Sequence, residues 1–135
     1  MDSLNSVASS IARRMSNEVS CLATANDFGN AREERLMFPN VELSDTPDSN
    51  PAAIRSNIKH LYWQLLGEKL EENDPEVDRA YQLFADVWQD GQNNSYGNLP
   101  NMCRANGVDS DNNYTVRSWM AVVSYMLSSY DFLYE

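Results

Sequence analysis

The segment Asp109-Ser110-Asp111-Asn112-Asn113 spaces oxygen-bearing side chains as a calcium loop does at its start. In the twelve-residue pattern the sixth place is a glycine and the twelfth a bidentate glutamate. Counted from Asp109, those places hold Tyr114 and Met120. Asp109, Asp111 and Asn113 are thus candidate metal ligands in a loop that lacks two defining positions. Asp111 or Asn113 reads better as the N-cap of a following helix. A second acidic run, Glu68, Glu71, Glu72, Asp74, Glu76 and Asp78, could offer oxygens to calcium or carboxylates to an enzyme. Acids before and within the first turn of a helix also complement its dipole, and that accounts for most of the run.

His60 is the only histidine. It projects roughly 120° from the apolar face of its helix, so it is expected to be exposed. No serine or cysteine near it carries an elbow or triad signature. Phosphate-cradling loops, the dinucleotide fingerprint and the paired-histidine zinc motif are all missing from the sequence. No catalytic residue is assigned, no cofactor is expected, and the reading leans away from an enzyme.

Two cysteines, Cys21 and Cys103, match no zinc spacing and no redox motif. They either close one disulfide over a long loop or act as two small buried hydrophobes. The aromatic residues are more informative. Trp63 lies opposite the buried face of its helix, with Tyr62 and Leu66 beside it. It either packs under a connection or forms an interface. Tyr130-Asp131-Phe132-Leu133-Tyr134 is too apolar for a free tail and should dock. Tyr62, Trp63, Tyr130, Phe132 and Tyr134 are therefore the candidate interaction residues.

Four helical segments must position these groups. Leu4, Val7, Ala8, Ile11, Met15, Val19 and Leu22 recur at steps of three and four, which predicts a helix near 3–25 that stops at Asn26-Asp27-Phe28-Gly29. Residues 26–50 form a long connection with a possible short helix at 31–38, and Leu36, Phe38, Val41 and Leu43 are expected to cover the core. Asn50-Pro51 starts a helix near 51–66 with Ile54, Ile58, Leu61 and Leu65 buried and Gly67 at its end. Asp74-Pro75 starts another near 75–90, with Val77, Ala80, Tyr81, Phe84, Val87 and Trp88 inward and Gly91 closing it. The last helix, near 114–130, turns Val116, Trp119, Met120, Val123, Met126, Leu127 and Tyr130 one way. Val122 and Tyr125 add apolar surface elsewhere, so it should be contacted on more than one side. The prediction is an all-α, compact bundle of about four main helices in one domain spanning 1–135, with its long connection between the first and second helices.

The charge of −10 is uneven: residues 1–67 hold eight acids against six bases, and residues 68–135 hold twelve against four. A surface built to neutralise phosphates needs clustered lysine and arginine, so nucleic acid and anionic membrane are poor partners. No apolar run approaches a membrane span. Met1-Asp2-Ser3-Leu4 shows no basic region followed by an apolar stretch, so no signal peptide is visible. A bridged pair of cysteines would instead suit a piece of a longer exported protein.

Several stretches fit together: Phe38-Pro39-Asn40-Val41-Glu42; Ala53-Ile54-Arg55-Ser56-Asn57-Ile58-Lys59-His60-Leu61 with Leu65-Leu66-Gly67-Glu68; and Asp74-Pro75-Glu76 with Tyr81-Gln82-Leu83-Phe84. Tyr114-Thr115-Val116-Arg117-Ser118-Trp119-Met120 and Phe132-Leu133-Tyr134-Glu135 complete the set. Together they resemble the C-terminal helical segment of large, uncharacterised bacterial exported proteins, some of which carry cytochrome-c-like domains. The resemblance covers most of the chain, and its motifs concern packing and capping. It brings no functional residues across. With no haem-attachment sequence here, any haem would belong to another domain. The resemblance implies export and, with it, a Cys21–Cys103 bridge. The expected function is a non-catalytic helical module of an exported or cell-envelope protein. Its partners would be another protein or neighbouring domains of a longer chain. The alternatives are a calcium-binding or carboxylate-based enzymatic domain built on 68–78 and 109–113, and a cytoplasmic adaptor with free thiols.

Overall fold

Residues 19–94 and 98–133 are described by the computed structural model, with side chains as far as Ser128. Four helices carry the fold: α1 over 19–28, α2 Pro51–Leu66, α3 Pro75–Asn94 and α4 Thr115–Leu133. Short 3-10 turns lie at Arg32–Glu34 and Asn101–Cys103. Among the described residues there is no strand, only two isolated bridges, Asn98 with Ser110 and Ala105 with Val108. The chain is an all-α bundle in which α4 packs on both α3 and α2.

Local chemistry sets the helix ends. The Asn50 side chain accepts the Ala53 N–H at 3.3 Å, and Pro51 fills a place where no donor is needed. Gly67 takes the left-handed conformation (φ 67°) that ends α2, its N–H donating to the Trp63 carbonyl. At α3, Asp74 Oδ1 accepts the Glu76 N–H at 2.9 Å. Gly91 does not close α3, contrary to expectation, and the helix continues to Asn94. The glycine serves packing instead: a Cβ there would stand 2.9 Å from Tyr114 Cβ.

The expected helix near 3–25 lies outside the described residues up to residue 18. Where it is described, its rotation differs from expectation. Cys21, Thr24, Ala25 and Phe28 face inward, whereas Val19 and Leu22 are exposed. Two contacts fix that rotation. Cys21 and Cys103 are joined, with Sγ atoms 2.09 Å apart. Phe28 stacks on Phe38 with ring centroids 4.3 Å apart.

Phe38 then meets Trp119 edge-on, and Trp119 meets Phe84 the same way, at 5.2 and 4.7 Å. Ile54, Ile58, Leu61, Val77 and Val122 pack in the same cluster as these rings with no solvent exposure. Burial of each such side chain stabilises the fold by about 1.5–3 kcal/mol. Val122 lies on the second apolar flank of α4, so that helix is indeed contacted on more than one side.

The connection between α1 and α2 is held by polar groups, and none of it between 31 and 38 is α-helical. The buried Asp27 carboxylate accepts the N–H groups of Leu36, Met37 and Phe38 at 3.0, 3.1 and 2.9 Å. Asn57, fully buried on α2, accepts the Asn40 N–H and donates to the Met37 carbonyl. Arg35 donates to the carbonyls of Asn30, Val41 and Phe28 and pairs with Glu42 at 2.7 Å. Phe38 and Val41 are buried as expected, and Leu43 packs against the core. Leu36 is the exception: it is 68% exposed, because its backbone is drawn to Asp27 while its side chain is left outside.

Candidate functional site

The outer face of α2 carries the candidate that survives folding. Ile54, Ile58 and Leu61 turn inward, so the residues on the opposite side of the helix face solvent. Trp63 is there, 58% exposed. Lys59 and His60 precede it by four and three residues, which places them on the adjacent turn. Tyr62 is not part of this face. It is only 3% exposed, and its hydroxyl donates to Glu76 Oε2 at 3.3 Å. One residue along a helix is a rotation of about 100°, enough to turn Tyr62 inward while Trp63 points out. The side chains of Tyr130 and Phe132, and Tyr134 as a whole, lie outside the described residues.

His60 is not simply solvated, as had been expected. It is half-buried, and Nε2 lies 2.7 Å from the Leu36 carbonyl. A carbonyl only accepts, so Nε2 carries the proton and Nδ1 is the open ring nitrogen. The bond brings the Leu36 carbonyl to the turn of α2 that precedes Trp63. Lys59, His60 and Trp63 thus share one side of α2, which the Leu36 carbonyl meets at His60.

Glu76 is the centre of a second constellation. Its Oε2 accepts from the Tyr62 and Tyr125 hydroxyls, each at 3.3 Å, and Arg79 pairs with its other oxygen. Burial, then the Glu76 charge, pushes Tyr62 well above the usual phenol range. Tyr125 is raised for the same two reasons. The Arg79 hydrogen bond holds Glu76 below the usual carboxylate range. These shifts move both groups away from neutral pH, the opposite of what an acid–base pair needs. The cluster is a clasp joining α2, α3 and α4.

The metal candidates do not converge. Asp111 is buried, and its two oxygens accept the N–H groups of Val116 and Arg117 at 2.9 and 3.0 Å. Arg117 Nη1 adds an ion pair at 3.5 Å. Of the two residues offered as N-cap, Asp111 does the capping, and Asn113 is exposed. Burial raises the Asp111 carboxyl, while the N–H groups and Arg117 pull the other way. Asp109 is exposed, and its backbone carbonyl accepts the Leu99 N–H. In the acidic run, Asp74 caps α3, Glu76 holds the tyrosines and Asp78 pairs with Arg55. Among the described residues, no group of three or more histidines, cysteines or acids is placed to hold a metal.

A groove of about 510 Å³ runs beside the disulfide, walled by Cys21, Cys103, Leu83, Met120, Ala121 and Tyr125. Two serines on α4, Ser124 and Ser128, add hydroxyls, and among the described residues no carboxylate or histidine lines it. Among the described residues, no helix is long and apolar enough to cross a membrane. No protein-family model, curated protein or solved structure matches the chain.

Spacing does not single out Lys59, and it reads Leu36 as core cover, whereas Leu36 is exposed. One signal was available. α2 contains no aspartate or glutamate, in a chain with twenty of them.

Proposed function

We propose that the chain is a non-catalytic helical module of an exported or cell-envelope protein, and that it acts through protein contacts made by the outer face of α2. The observation that carries this reading is Trp63. A tryptophan more than half exposed on a well-packed helix is the kind of aromatic anchor that interfaces concentrate. The bridged Cys21–Cys103 pair supports an oxidising compartment, where such bonds form and persist. The resemblance to exported bacterial proteins points the same way. The calcium-binding alternative loses support because the Asp111 oxygens are already taken up by the α4 N-terminus.

Trp63→Ala tests the contact surface. A surface residue removed from a helix changes stability by within about 0.5 kcal/mol, whereas a core aromatic costs about 3–5 kcal/mol. A loss of several kcal/mol would assign Trp63 to internal packing and remove the reading. Thiol titration of protein made under oxidising conditions tests the compartment: two free thiols would reject it.

A further inference from the structure

We infer that Asn106 is a site of self-modification. When the 98–110 segment parts from α1, the Asn106-Gly107 unit closes to a succinimide, and the aspartate or isoaspartate left after hydrolysis keeps the segment from docking again. Asn106-Gly107 is the only Asn-Gly pair in the chain, and a glycine nitrogen can be approached with no Cβ in the way. The pair sits at the centre of a tight turn, across which Ala105 and Val108 exchange N–H to carbonyl bonds of 3.4 and 3.0 Å. φ is 53° at Asn106 and 83° at Gly107, the type I′ geometry that this dipeptide favours. Both residues are exposed, so water and hydroxide reach them.

The closed junction restrains the reacting amide. Asn106 Nδ2 donates to the Asn26 carbonyl at 2.9 Å and to Asn30 Oδ1 at 2.8 Å. A Cβ on Gly29 would stand 2.7 Å from Asn106 Cγ, so the side chain lies directly against the end of α1. Cyclisation swings Cγ toward the Gly107 nitrogen, and that breaks both bonds. The Cys21–Cys103 bond keeps the two sides together, so the reaction waits on local opening. In the open form hydroxide takes the Gly107 amide proton, and the nitrogen attacks Asn106 Cγ. The Cγ–Nδ2 bond breaks, and ammonia leaves with a proton from water. Water then opens the ring. Addition at Cγ leaves aspartate, and addition at the main-chain carbonyl leaves isoaspartate, with the chain routed through Cγ. Either product exchanges a donating amide for a carboxylate, which only accepts. Asn30 can turn its own amide to donate, but the Asn26 carbonyl cannot, so oxygen would meet oxygen at the junction.

Peptide mapping by mass spectrometry, with isoaspartate resolved from aspartate, reads the site in the intact chain warmed at neutral pH. Asn106 should persist while the bridge is intact. With reductant it should convert at least about tenfold faster, since the population of the open form then governs the rate. Asn30→Ala, with the bridge kept, removes one of the two holds on the amide and should speed conversion about fivefold. Asn106→Asp carries the first product from the start. In a glutathione buffer its Cys21–Cys103 bond should form with an equilibrium constant at least about fivefold below that of the parent chain. Equal conversion with and without the bridge, or no change in Asn30→Ala, would overturn protection by the junction. No conversion in either state would overturn the site itself. A bridge equilibrium unchanged in Asn106→Asp would overturn the barrier to docking again.

Discussion

The Asp27 carboxylate holds the backbone of Phe38, eleven residues further on, by accepting its N–H at 2.9 Å. The same carboxylate takes the N–H groups of Met37 and Leu36, so one side chain at the end of α1 ties down the start of the connection. Phe38 is thereby set against Phe28 and Trp119. Asp27→Ala leaves three donors without their acceptor, and hydrogen bonds to a charged group are worth roughly 1.5–3 kcal/mol each. Water reaching the connection offsets part of that. We expect a loss of about 3 kcal/mol or more by urea denaturation, with Asp27→Asn between the two. A loss under about 1 kcal/mol would mean that the connection holds its shape without Asp27.

The sequence discloses the helices better than the links between them. Asn50-Pro51 and Asp74-Pro75 mark their helix starts because the capping chemistry is local, spanning three or four residues. The inward stripes of α2, α3 and α4 are equally legible, since a period of 3.6 needs no knowledge of partners. The outward face of Trp63 follows from the same arithmetic. Asp27, Asn57 and Arg35 are different. Their bonds run to backbone groups in a connection with no regular period, and no spacing rule reports them. The apolar stripe of the first segment predicts Val19 and Leu22 inward, yet both are exposed. The Cys21–Cys103 bond and the Phe28–Phe38 stack set the rotation of α1, and both depend on residues far away in sequence.

The Tyr62–Glu76–Tyr125 clasp gives a pH dependence whose sign can be worked out. The Glu76 carboxyl is lowered in the folded chain, so its contribution is present above the ordinary value of 4.5 and is lost as pH falls below it. The Tyr62 phenol is raised, so its contribution is complete below the ordinary value of 10.0 and is lost as pH rises beyond it. Melting temperature should therefore decline on both flanks. Tyr62→Phe should cost about 1 kcal/mol at neutral pH and flatten the alkaline flank more than the acid one, where the Arg79 hydrogen bond still holds Glu76 down. Glu76→Gln should flatten the acid flank. An alkaline profile unchanged in Tyr62→Phe would show that other groups control that limb.

The Cys21–Cys103 bond closes a loop spanning 82 residues and holds the 98–110 segment against the end of α1. Asn106 secures the same junction by donating to the Asn26 carbonyl at 2.9 Å and to Asn30 Oδ1 at 2.8 Å. Restricting an unfolded chain over a loop of this length stabilises the native state by about 4 kcal/mol in the loop-entropy account. Cys21→Ser with Cys103→Ser should lower stability by close to that amount, and reductant should do the same to the parent chain. Scanning calorimetry in the presence and absence of reductant reads the difference. Coincident melts, with the thiols shown to be free, would leave the bond without a stabilising role.

Gly91 gives a test in which intrinsic propensity and packing have opposite signs. It lies inside α3, where replacing glycine by alanine ordinarily stabilises a helix by roughly 1 kcal/mol. Here the new Cβ would stand 2.9 Å from Tyr114 Cβ and 3.0 Å from its ring edge. A Cβ cannot swing aside as the far end of a long side chain can, and Tyr114 is held at positive φ just before α4. Relief would require α3 and the start of α4 to separate, which disturbs the nearby cap that Asp111 makes to Val116 and Arg117. Overpacking of this kind costs about 1–3 kcal/mol, which outweighs the propensity gain at all but the lower end. We expect Gly91→Ala to be destabilising by thermal melt, and Gly91→Ala with Tyr114→Gly to recover most of the loss by removing the obstructing side chain. A Gly91→Ala chain more stable than its parent would show that the two helices are free to part there.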